Sequence, residues 1–390
     1  MKIVEIPSFF PPYGGEFCLE QSKALSALGH DVTILANVQL AIRRSLKDYL
    51  LTSYRCRTTE MGKITIYRSD MRGIPLCIRP NVKRWCGIIQ KMFARYVNKN
   101  GLPDIIHAHC AKWAGYAASK ISEKYGIPFV ITEHLPSMIF KEEFGDDFSK
   151  AWQIPLLKSA YKAADMVIPV SAELVDDIAC YFGKDYKWTA ISNTIDTGFF
   201  AYRDRTPTGG RKFRFCCLAN FIPRKGYDVL FKAFDKLAAE MPDVELYIAG
   251  KFTDGKECAG MVKSMINSSK VTICGELDKN GVRRLLYQCD CLVLASRSES
   301  QGLVLLEAMS TGIPAISTDC IPQSIRINDG TYIVPVDDAE ELKACMHKVA
   351  IDNNINGRHI SKKVASLASP QYIGEKLSEL FLQIVKQHKS

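Results

Sequence analysis

Short, near-continuous apolar runs alternate with helix-compatible segments along this chain, pause once, and then start again. A strand covered on both faces has no polar side to alternate with, so unbroken runs of this kind are the mark of a parallel sheet with helices on both faces. In the first half the runs fall at 2–6, 31–35, 64–67, 104–109, 129–134, 166–171 and 188–193. The pause at 202–210 is polar, with proline and paired glycines, and reads as a linker. The runs resume at 213–219, 244–250, 271–275, 291–296, 313–318 and 332–335, each followed by a segment that suits the helix of a βαβ unit. At 390 residues the chain is also too long for one ordinary core. The expected fold class is α/β, with two doubly wound Rossmann-like domains, one at 1–200 and one at 201–370, followed by a last amphipathic helix beyond Ser369-Pro370. Ligands of such sheets bind at the carboxyl ends of the strands, so the strand-to-helix turns, and a cleft between two such domains, are where chemistry is expected.

The apolar share of 47% and charged share of 24% are those of a globular protein and exclude extended disorder. Met1 leads straight into the first run, without a charged and then apolar leader, and no apolar run is long enough to span a bilayer. The expected location is therefore cytoplasmic. The fourteen cysteines are scattered, often inside apolar runs, and form no Cys-x-x-Cys pair, so they read as reduced thiols, with no metal site assigned.

The net charge of +9 is concentrated between Arg43 and Lys99, where fourteen Lys or Arg face only Asp48, Glu60 and Asp70. Within that stretch 79–99 interleaves Trp85, Ile88, Ile89, Met92, Phe93 and Val97 with Lys83, Arg84, Lys91 and Arg95, the pattern of a basic amphipathic helix. Two readings stand side by side: an anionic membrane surface as partner through 43–99, or a solvated helix whose stripe packs on its own domain. No nucleic-acid motif accompanies the charge, so nucleic acid is not an expected partner.

The most informative segment is Ser296-Arg-Ser-Glu299-Ser300-Gln301-Gly302-Leu303-Val304-Leu-Leu-Glu307-Ala-Met. A strand, a polar turn and a helix follow in order. With the helix starting near Gly302, its free backbone N–H groups and positive dipole end form an anion site suited to a diphosphate. Glu307 lies about one and a half turns further on, where it can accept hydrogen bonds from ribose hydroxyls, and Glu299 on the turn faces a sugar.

This pair of glutamates, with Gly-Leu-Val-Leu-Leu-Glu-Ala-Met around the second, resembles the signature of retaining GT-B glycosyltransferases of family 4. The resemblance extends through Gly14-Gly15, Gly29-His-Asp-Val-Thr33, Asp104-Ile-Ile-His-Ala-His109, Thr132-Glu-His134, Asn193-Thr-Ile-Asp196, Pro223-Arg224-Lys225-Gly226, Ile248-Ala-Gly250 and Cys274-Gly275. It implies a GT-B fold whose C-terminal helix, 371–390, returns to the first domain. It also implies transfer of a sugar from a nucleoside-diphosphate donor to a hydroxyl acceptor, with the anomeric configuration retained. Its carry-over assigns Lys225 and the Gly302 helix start to the diphosphate, Glu307 to the ribose, and Glu299 and His134 to the sugar. Gly250, Lys251, Gly275 and Leu277 fall near the base or its phosphates, Ser300, Gln301, Leu303 and Val304 line the donor, and Gly14 and Gly15 adjoin donor phosphate and acceptor. Glu299, His134 and Lys225 are thus the expected catalytic set.

A fixed cation at Lys225 does the electrostatic work of a metal, so no metal and no cofactor are expected; the chain also lacks an acidic cluster suited to magnesium. Two departures stand out. Asn220 occupies the place where related enzymes commonly carry arginine, with Arg224 as the nearest substitute, and Gln301 stands where an aromatic residue is usual. A sugar or lipid-linked acceptor, for polysaccharide or glycolipid assembly at the inner membrane face, is the expectation that the basic first domain favours. A GT-B-like epimerase or phosphorylase and a non-catalytic nucleotide-sugar-binding subunit remain the alternatives.

Overall fold

A computed structural model of the chain describes residues 1–42, 45–52, 56–145, 151–204, 211–352 and 354–389. The chain divides into two compact units, Met1–Thr194 with Pro370–Ser390, and Ile195–Ser369. The division therefore falls a few residues before the expected 200, and most of the proposed linker, 205–210, lies outside the described residues.

The first unit is built on seven strands: β1 (Lys2–Pro7), β2 (Asp31–Leu40), β3 (Arg57–Met61), β4 (Ile64–Arg72), β5 (Ile105–His109), β6 (Phe129–Glu133) and β7 (Met166–Pro169). Their order is β3-β4-β2-β1-β5-β6-β7, and every pairing is parallel except β3 with β4. β3 was not expected: its Arg-Thr-Thr-Glu-Met sequence is exposed, with no apolar run to betray it, and it exists because Gly62, at φ 60, closes a tight hairpin onto β4. The expected strand at 188–193 is reduced to one bridge, Trp188 to Val167, although Thr189 and Ile191 still donate to the carbonyls of Val167 and Pro169.

The two faces of this sheet bury separate cores. Over one face lies the helix Ile78–Asn100, whose Val82, Trp85, Cys86, Ile89, Met92 and Phe93 are all buried. Trp85 donates its indole N–H to the carbonyl of Asn37 on β2 at 2.7 Å. The apolar stripe of the basic helix thus packs on its own domain, while Lys83, Arg84, Lys91 and Arg95 are exposed. Over the other face the helix Pro370–Lys389 contributes Ile373, Leu377, Phe381, Ile384 and Val385 to the core, and Gly374 lets it approach the helix Glu16–Ala27, since a Cβ there would lie 3.1 Å from that of Ala24. The C-terminal helix therefore belongs to the first unit.

The second unit holds β8 (Phe213–Leu218), β9 (Val244–Ala249), β10 (Val271–Gly275), β11 (Cys291–Leu294), β12 (Ala315–Thr318) and β13 (Thr331–Val334), all parallel, in the order β10-β9-β8-β11-β12-β13. Counted from its own first strand this is 3-2-1-4-5-6, the doubly wound order, and the first unit follows it too once the β3 hairpin is set aside. In such sheets the chain reverses direction between strands 1 and 4. Here those switch points lie between β1 and β5 and between β8 and β11.

Candidate functional site

At the carboxyl ends of β8 and β11 two turns of the second unit are laced together. One is the single 3₁₀ turn Pro223–Lys225, the other the 297–299 segment. The amide of Arg297 donates to the carbonyl of Arg224 at 2.8 Å and its guanidinium to the carbonyl of Pro223 at 2.5 Å. In return the Arg224 guanidinium donates to the carbonyl of Ser298 at 2.9 Å. Arg297 is itself fixed by Asp228 and Asp337, each at 2.7 Å. Local sequence makes the approach feasible: Gly226, at φ 63, follows the turn, and a Cβ there would lie 1.9 Å from the carbonyl oxygen of Ala295.

The lacing brings Lys225 onto Glu299. The lysine Nζ donates to Glu299 Oε1 at 2.5 Å, the Ser296 hydroxyl donates to the same oxygen at 2.7 Å, and Arg224 Nη1 is 3.9 Å from Oε2. Two cations, Lys225 and Arg224, thus converge on one carboxylate. The side chains of neighbours Arg224 and Lys225 run together here, both towards Glu299. Asn220 accepts the amide of Lys251 at 3.2 Å, which ties the β8 turn to the β9 turn. Gly250, at φ 143, faces the backbone of Ala219 so closely that a Cβ would lie 2.1 Å from its carbonyl oxygen, and Lys251 pairs with Glu276 at 3.5 Å.

The helix expected to start near Gly302 runs Leu303–Ser310, with Gly302 at its N-cap in the left-handed region, φ 82. Its amide end therefore opens next to the Glu299 turn, with Ser300 before it and Gln301 buried. Leu303, Val304 and Glu307 are half-buried along the helix. Gly275, at φ 70, ends β10, three strands from β11, and half-buried Leu277 follows it.

In the first unit, Gly14 and Gly15 both hold positive φ, 91 and 87, ahead of the helix Glu16–Ala27. A Cβ on Gly15 would lie 2.0 Å from the carbonyl oxygen of Phe9, so the second glycine is demanded by the turn itself. His134, just past β6, is buried and stacks on Phe17 from that helix, with ring centroids 3.7 Å apart. Its backbone is set by Glu133, a fully buried carboxylate that accepts the amides of Ala111, His134 and Leu135 at 2.9 Å each and the Tyr161 hydroxyl at 2.6 Å. With four donors, two on each oxygen, the buried carboxyl group has its hydrogen-bonding capacity met.

Behind His134 lies a second buried carboxylate. Glu5 on β1 is opposite His107 on β5, and His107 Nδ1 and His109 Nε2 approach the same Glu5 oxygen at 2.9 and 2.8 Å. His107 Nε2 is 2.6 Å from the Thr132 hydroxyl, and His109 Nδ1 is 3.3 Å from His134 Nε2. Burial alone would raise the Glu5 carboxyl, but the His107 and His109 rings against it reverse the direction and hold it at about 2. Burial, and next the His107 ring, push the His109 imidazole down to about 4. His134 is driven well below the usual histidine range, first by burial, then by His109 and His107, with Asn193 pulling the other way. Both imidazoles are therefore neutral at pH 7.

Sequence reasoning did not single out Glu5 or Phe17, and it quoted Glu133 and Ser296 only as parts of motifs, without a role. A glutamate inside the apolar run 2–6 is the signal that could have found Glu5, since a charge in a doubly covered strand requires a partner.

Two laced turns with converging cations beside a helix N-terminus, on paired doubly wound units, define a class, and comparison with known proteins supplies the family. The pattern for Glycosyltransferase Family 4 matches residues 14–199 and that for Glycosyl transferases group 1 matches residues 212–352. The chain belongs to this family of glycosyltransferases and has its two-domain GT-B fold. Among relatives, a Bacillus subtilis (strain 168) glycosyltransferase named for teichuronic acid biosynthesis, TuaC, is 26% identical over 337 residues, which cover 82% of this chain and 81% of that protein. Among solved structures, sucrose-phosphate synthase from Thermosynechococcus elongatus superposes with a TM-score of 0.78 at 17% identity, covering 99% of this chain and 100% of the other. Anabaena HepE in complex with UDP superposes at 0.72 and 15% identity, covering 98% and 100%.

Proposed function

We propose that the chain moves a sugar from a nucleoside-diphosphate donor to a hydroxyl acceptor with retention of anomeric configuration. The observation that carries this is the convergence of Lys225 and Arg224 on Glu299 beside the amide end of the helix Leu303–Ser310. A leaving diphosphate needs fixed positive charge that requires no reorganisation, and two cations and a helix end supply it without a metal or a cofactor. Lys225, Arg224 and the Gly302 helix start hold the diphosphate; Glu299, freed from part of its ion pairing by the incoming phosphates, serves the sugar. Glu307 takes the ribose, while Gly250, Lys251, Gly275 and Leu277 lie on the base side, with Asn220, Ser300, Gln301, Leu303 and Val304 lining the donor. On the first unit Gly14, Gly15 and His134 serve acceptor and sugar. HepE, solved with UDP and with UDP-glucose, supports a donor of this kind.

A thermal-unfolding screen across nucleoside-diphosphate sugars tests the donor. The true donor at 100 times its Kd should add about 2.7 kcal/mol of stability, and NMR of the product formed on a lipid-linked sugar acceptor should show the retained anomer. Stabilisation by no nucleotide sugar would sink the reading, and an epimerised donor without net transfer would move the chain to the epimerase alternative.

The acceptor is lipid-linked, and the protein is a peripheral visitor to an anionic membrane face, in polysaccharide or glycolipid assembly. Among the described residues no helix is long and apolar enough to cross a membrane. What supports surface docking is an exposed apolar set in the first unit, Leu46, Leu50, Leu51, Ile74, Leu76 and Ile78, within the basic stretch and including Leu76 at 95% exposure. Arg43 and Arg44 of that stretch lie outside the described residues. The chain should therefore sediment with anionic vesicles and release as salt rises. Failure to bind them at low ionic strength would remove this part of the proposal.

A further inference from the structure

Three helices of the first unit, Ile78–Asn100, Tyr116–Tyr125 and Gln153–Ala163, lie between parallel strands and so begin at the carboxyl edge of the sheet. Their first turns leave a groove of about 740 Å³ open to solvent. Its walls are Val82, Cys86 and Gly87 of the first helix, Tyr116 of the second, and Trp152 and Leu156 at the start of the third. A volume and an apolar, aromatic lining of this kind suit a small ligand. Gly87 deepens the groove, since a Cβ there would meet nothing within 4 Å. The charged side chains on the rim are all cations, Arg79, Lys83 and Lys120, and among the described residues no carboxylate lines the groove. Lys120 donates to Glu123 at 2.8 Å, whereas Arg79 and Lys83, both exposed, carry no ion pair among the described residues. Arg79 sits 5.2 Å over the Trp152 ring, which holds its charge at the mouth, and Lys83 follows one turn later on the same helix face.

The groove is distinct from the pocket beside the glycine loop. Trp152 stacks on Trp113 with centroids 5.8 Å apart, and Trp113 lines that second cavity together with Ser8, Tyr13 and Gln39. The stacked pair is the wall between the two. Cations at the mouth and an apolar interior complement an anion carried on a hydrocarbon body. The exposed Leu76 and Ile78, already assigned to the membrane surface, directly precede Arg79, so the mouth opens where that surface would lie.

We propose that this groove seats one anionic phospholipid of the membrane surface, with its phosphate between Arg79 and Lys83 and one acyl chain along Val82, Gly87 and Leu156. The inference rests on the peripheral-membrane reading and goes beyond it, because attachment then depends on a lipid-sized site and not on diffuse charge alone. Diffuse attraction weighs each basic residue near the surface about equally. A site ranks them by position.

Sedimentation with vesicles of phosphatidylcholine containing phosphatidylglycerol tests the site. Gly87→Leu fills the groove and leaves every charge in place, and replacing glycine inside a helix should hold or raise the unfolding midpoint. It should weaken vesicle binding by at least about tenfold, the equivalent of about two methylene groups no longer buried. On a merely adsorbing surface an added leucine would strengthen binding, so the sign separates the two cases. A Gly87→Leu protein that binds as tightly as the unmodified one, or more tightly, overturns the proposal. Lys83→Gln changes only an exposed side chain and should cost about thirtyfold, the scale of a hydrogen bond to a charged group. Arg84→Gln, at the same height but off the groove, should cost about fivefold, the share of one surface charge. Equal losses at the two positions overturn the proposal. Monomeric dihexanoyl phosphatidylglycerol, followed by calorimetry, tests the site without a bilayer; it should bind the unmodified protein, bind Gly87→Leu at least about tenfold more weakly, and outcompete dihexanoyl phosphatidylcholine. No binding of either lipid, the result expected of a groove built for an acidic amphipathic helix of a partner protein, overturns the proposal. Vesicle binding that survives Gly87→Leu sinks the groove and leaves the membrane reading. Binding of the short-chain lipid by a protein that ignores vesicles supports the groove and sinks the membrane reading.

Discussion

Lys225→Ala is expected to lower kcat by about 10² to 10³, the usual consequence of removing one preorganised electrostatic contact to developing charge. Its effect on folding should be smaller. Lys225 and Glu299 are 15% and 9% exposed, and after truncation Glu299 keeps the Ser296 hydroxyl at 2.7 Å and the Arg224 guanidinium at 3.9 Å. The carboxylate is therefore not stranded, and the stability cost should stay near 1.5 to 2 kcal/mol, roughly that of losing one hydrogen bond to a charged group, below the cost of breaking a buried pair outright. In kinetic terms the loss in kcat should exceed any rise in KM for the donor, because a leaving diphosphate gathers charge in the transition state. Arg224→Ala should cost less in rate. Its guanidinium also holds the carbonyl of Ser298, so part of its effect should appear as a looser turn. Steady-state kinetics with the donor found by the screen, alongside urea unfolding of each variant, checks both statements. A Lys225→Ala protein that turns over normally would remove the lysine from the chemistry and leave it a strut for Glu299.

The fold was legible where burial is symmetric and obscure where it is not. The doubly covered strands of both units announce themselves as unbroken apolar runs, and the doubly wound order follows from the alternation with helices. β3 carried no such signal, because its side chains are exposed and its pairing depends on a glycine turn. The segment 188–193 erred the other way: it is apolar enough to be a strand and runs beside β7, but it pairs only at Trp188. The basic helix shows a different limit. Amphipathicity predicts that Ile78–Asn100 buries a stripe, but not what it is buried against, and Trp85 and Phe93 turn out to face their own sheet.

The same distinction divides the site. Glu299, Lys225 and the Gly302 helix start could be placed from motif spacing, since each lies within a few residues of a strand end. The pairing of Arg224 with Lys225 on one carboxylate could not. It depends on Arg297, whose backbone and side chain bind the opposing turn and whose partners, Asp228 and Asp337, are distant in sequence. Likewise the contacts from Glu5 through His109 to His134 unite β1, β5 and the end of β6, and spacing along the chain carries no trace of that register.

The turn that presents Lys225 should be most sensitive at a residue that carries no functional group. Gly226 occupies the left-handed region at φ 63, and a Cβ there would lie 1.9 Å from the carbonyl oxygen and 2.9 Å from the carbonyl carbon of Ala295. A non-glycine residue at such φ costs roughly 1 to 3 kcal/mol even in open space. Here the obstacle is backbone at the end of β11, which no side-chain rotation can clear, so either that strand end or the start of the helix Tyr227–Glu240 must shift. Gly226→Ala is thus expected to lose at least about 3 kcal/mol of stability, with the loss confined to the Ile195–Ser369 unit. The laced turns would part with it, because the Arg297 amide bonds to Arg224 immediately beside the displaced residue. Gly260, in a helix where a Cβ meets nothing within 4 Å, is the matched control, and Gly260→Ala should be neutral or mildly stabilising. Hydrogen exchange followed by mass spectrometry would locate the effect: faster exchange across 213–226 and 291–299 in the Gly226 variant, with the Met1–Thr194 amides unchanged. Equal stability of the two alanine variants would mean that the close approach of the β8 and β11 turns is not what holds Lys225 on Glu299.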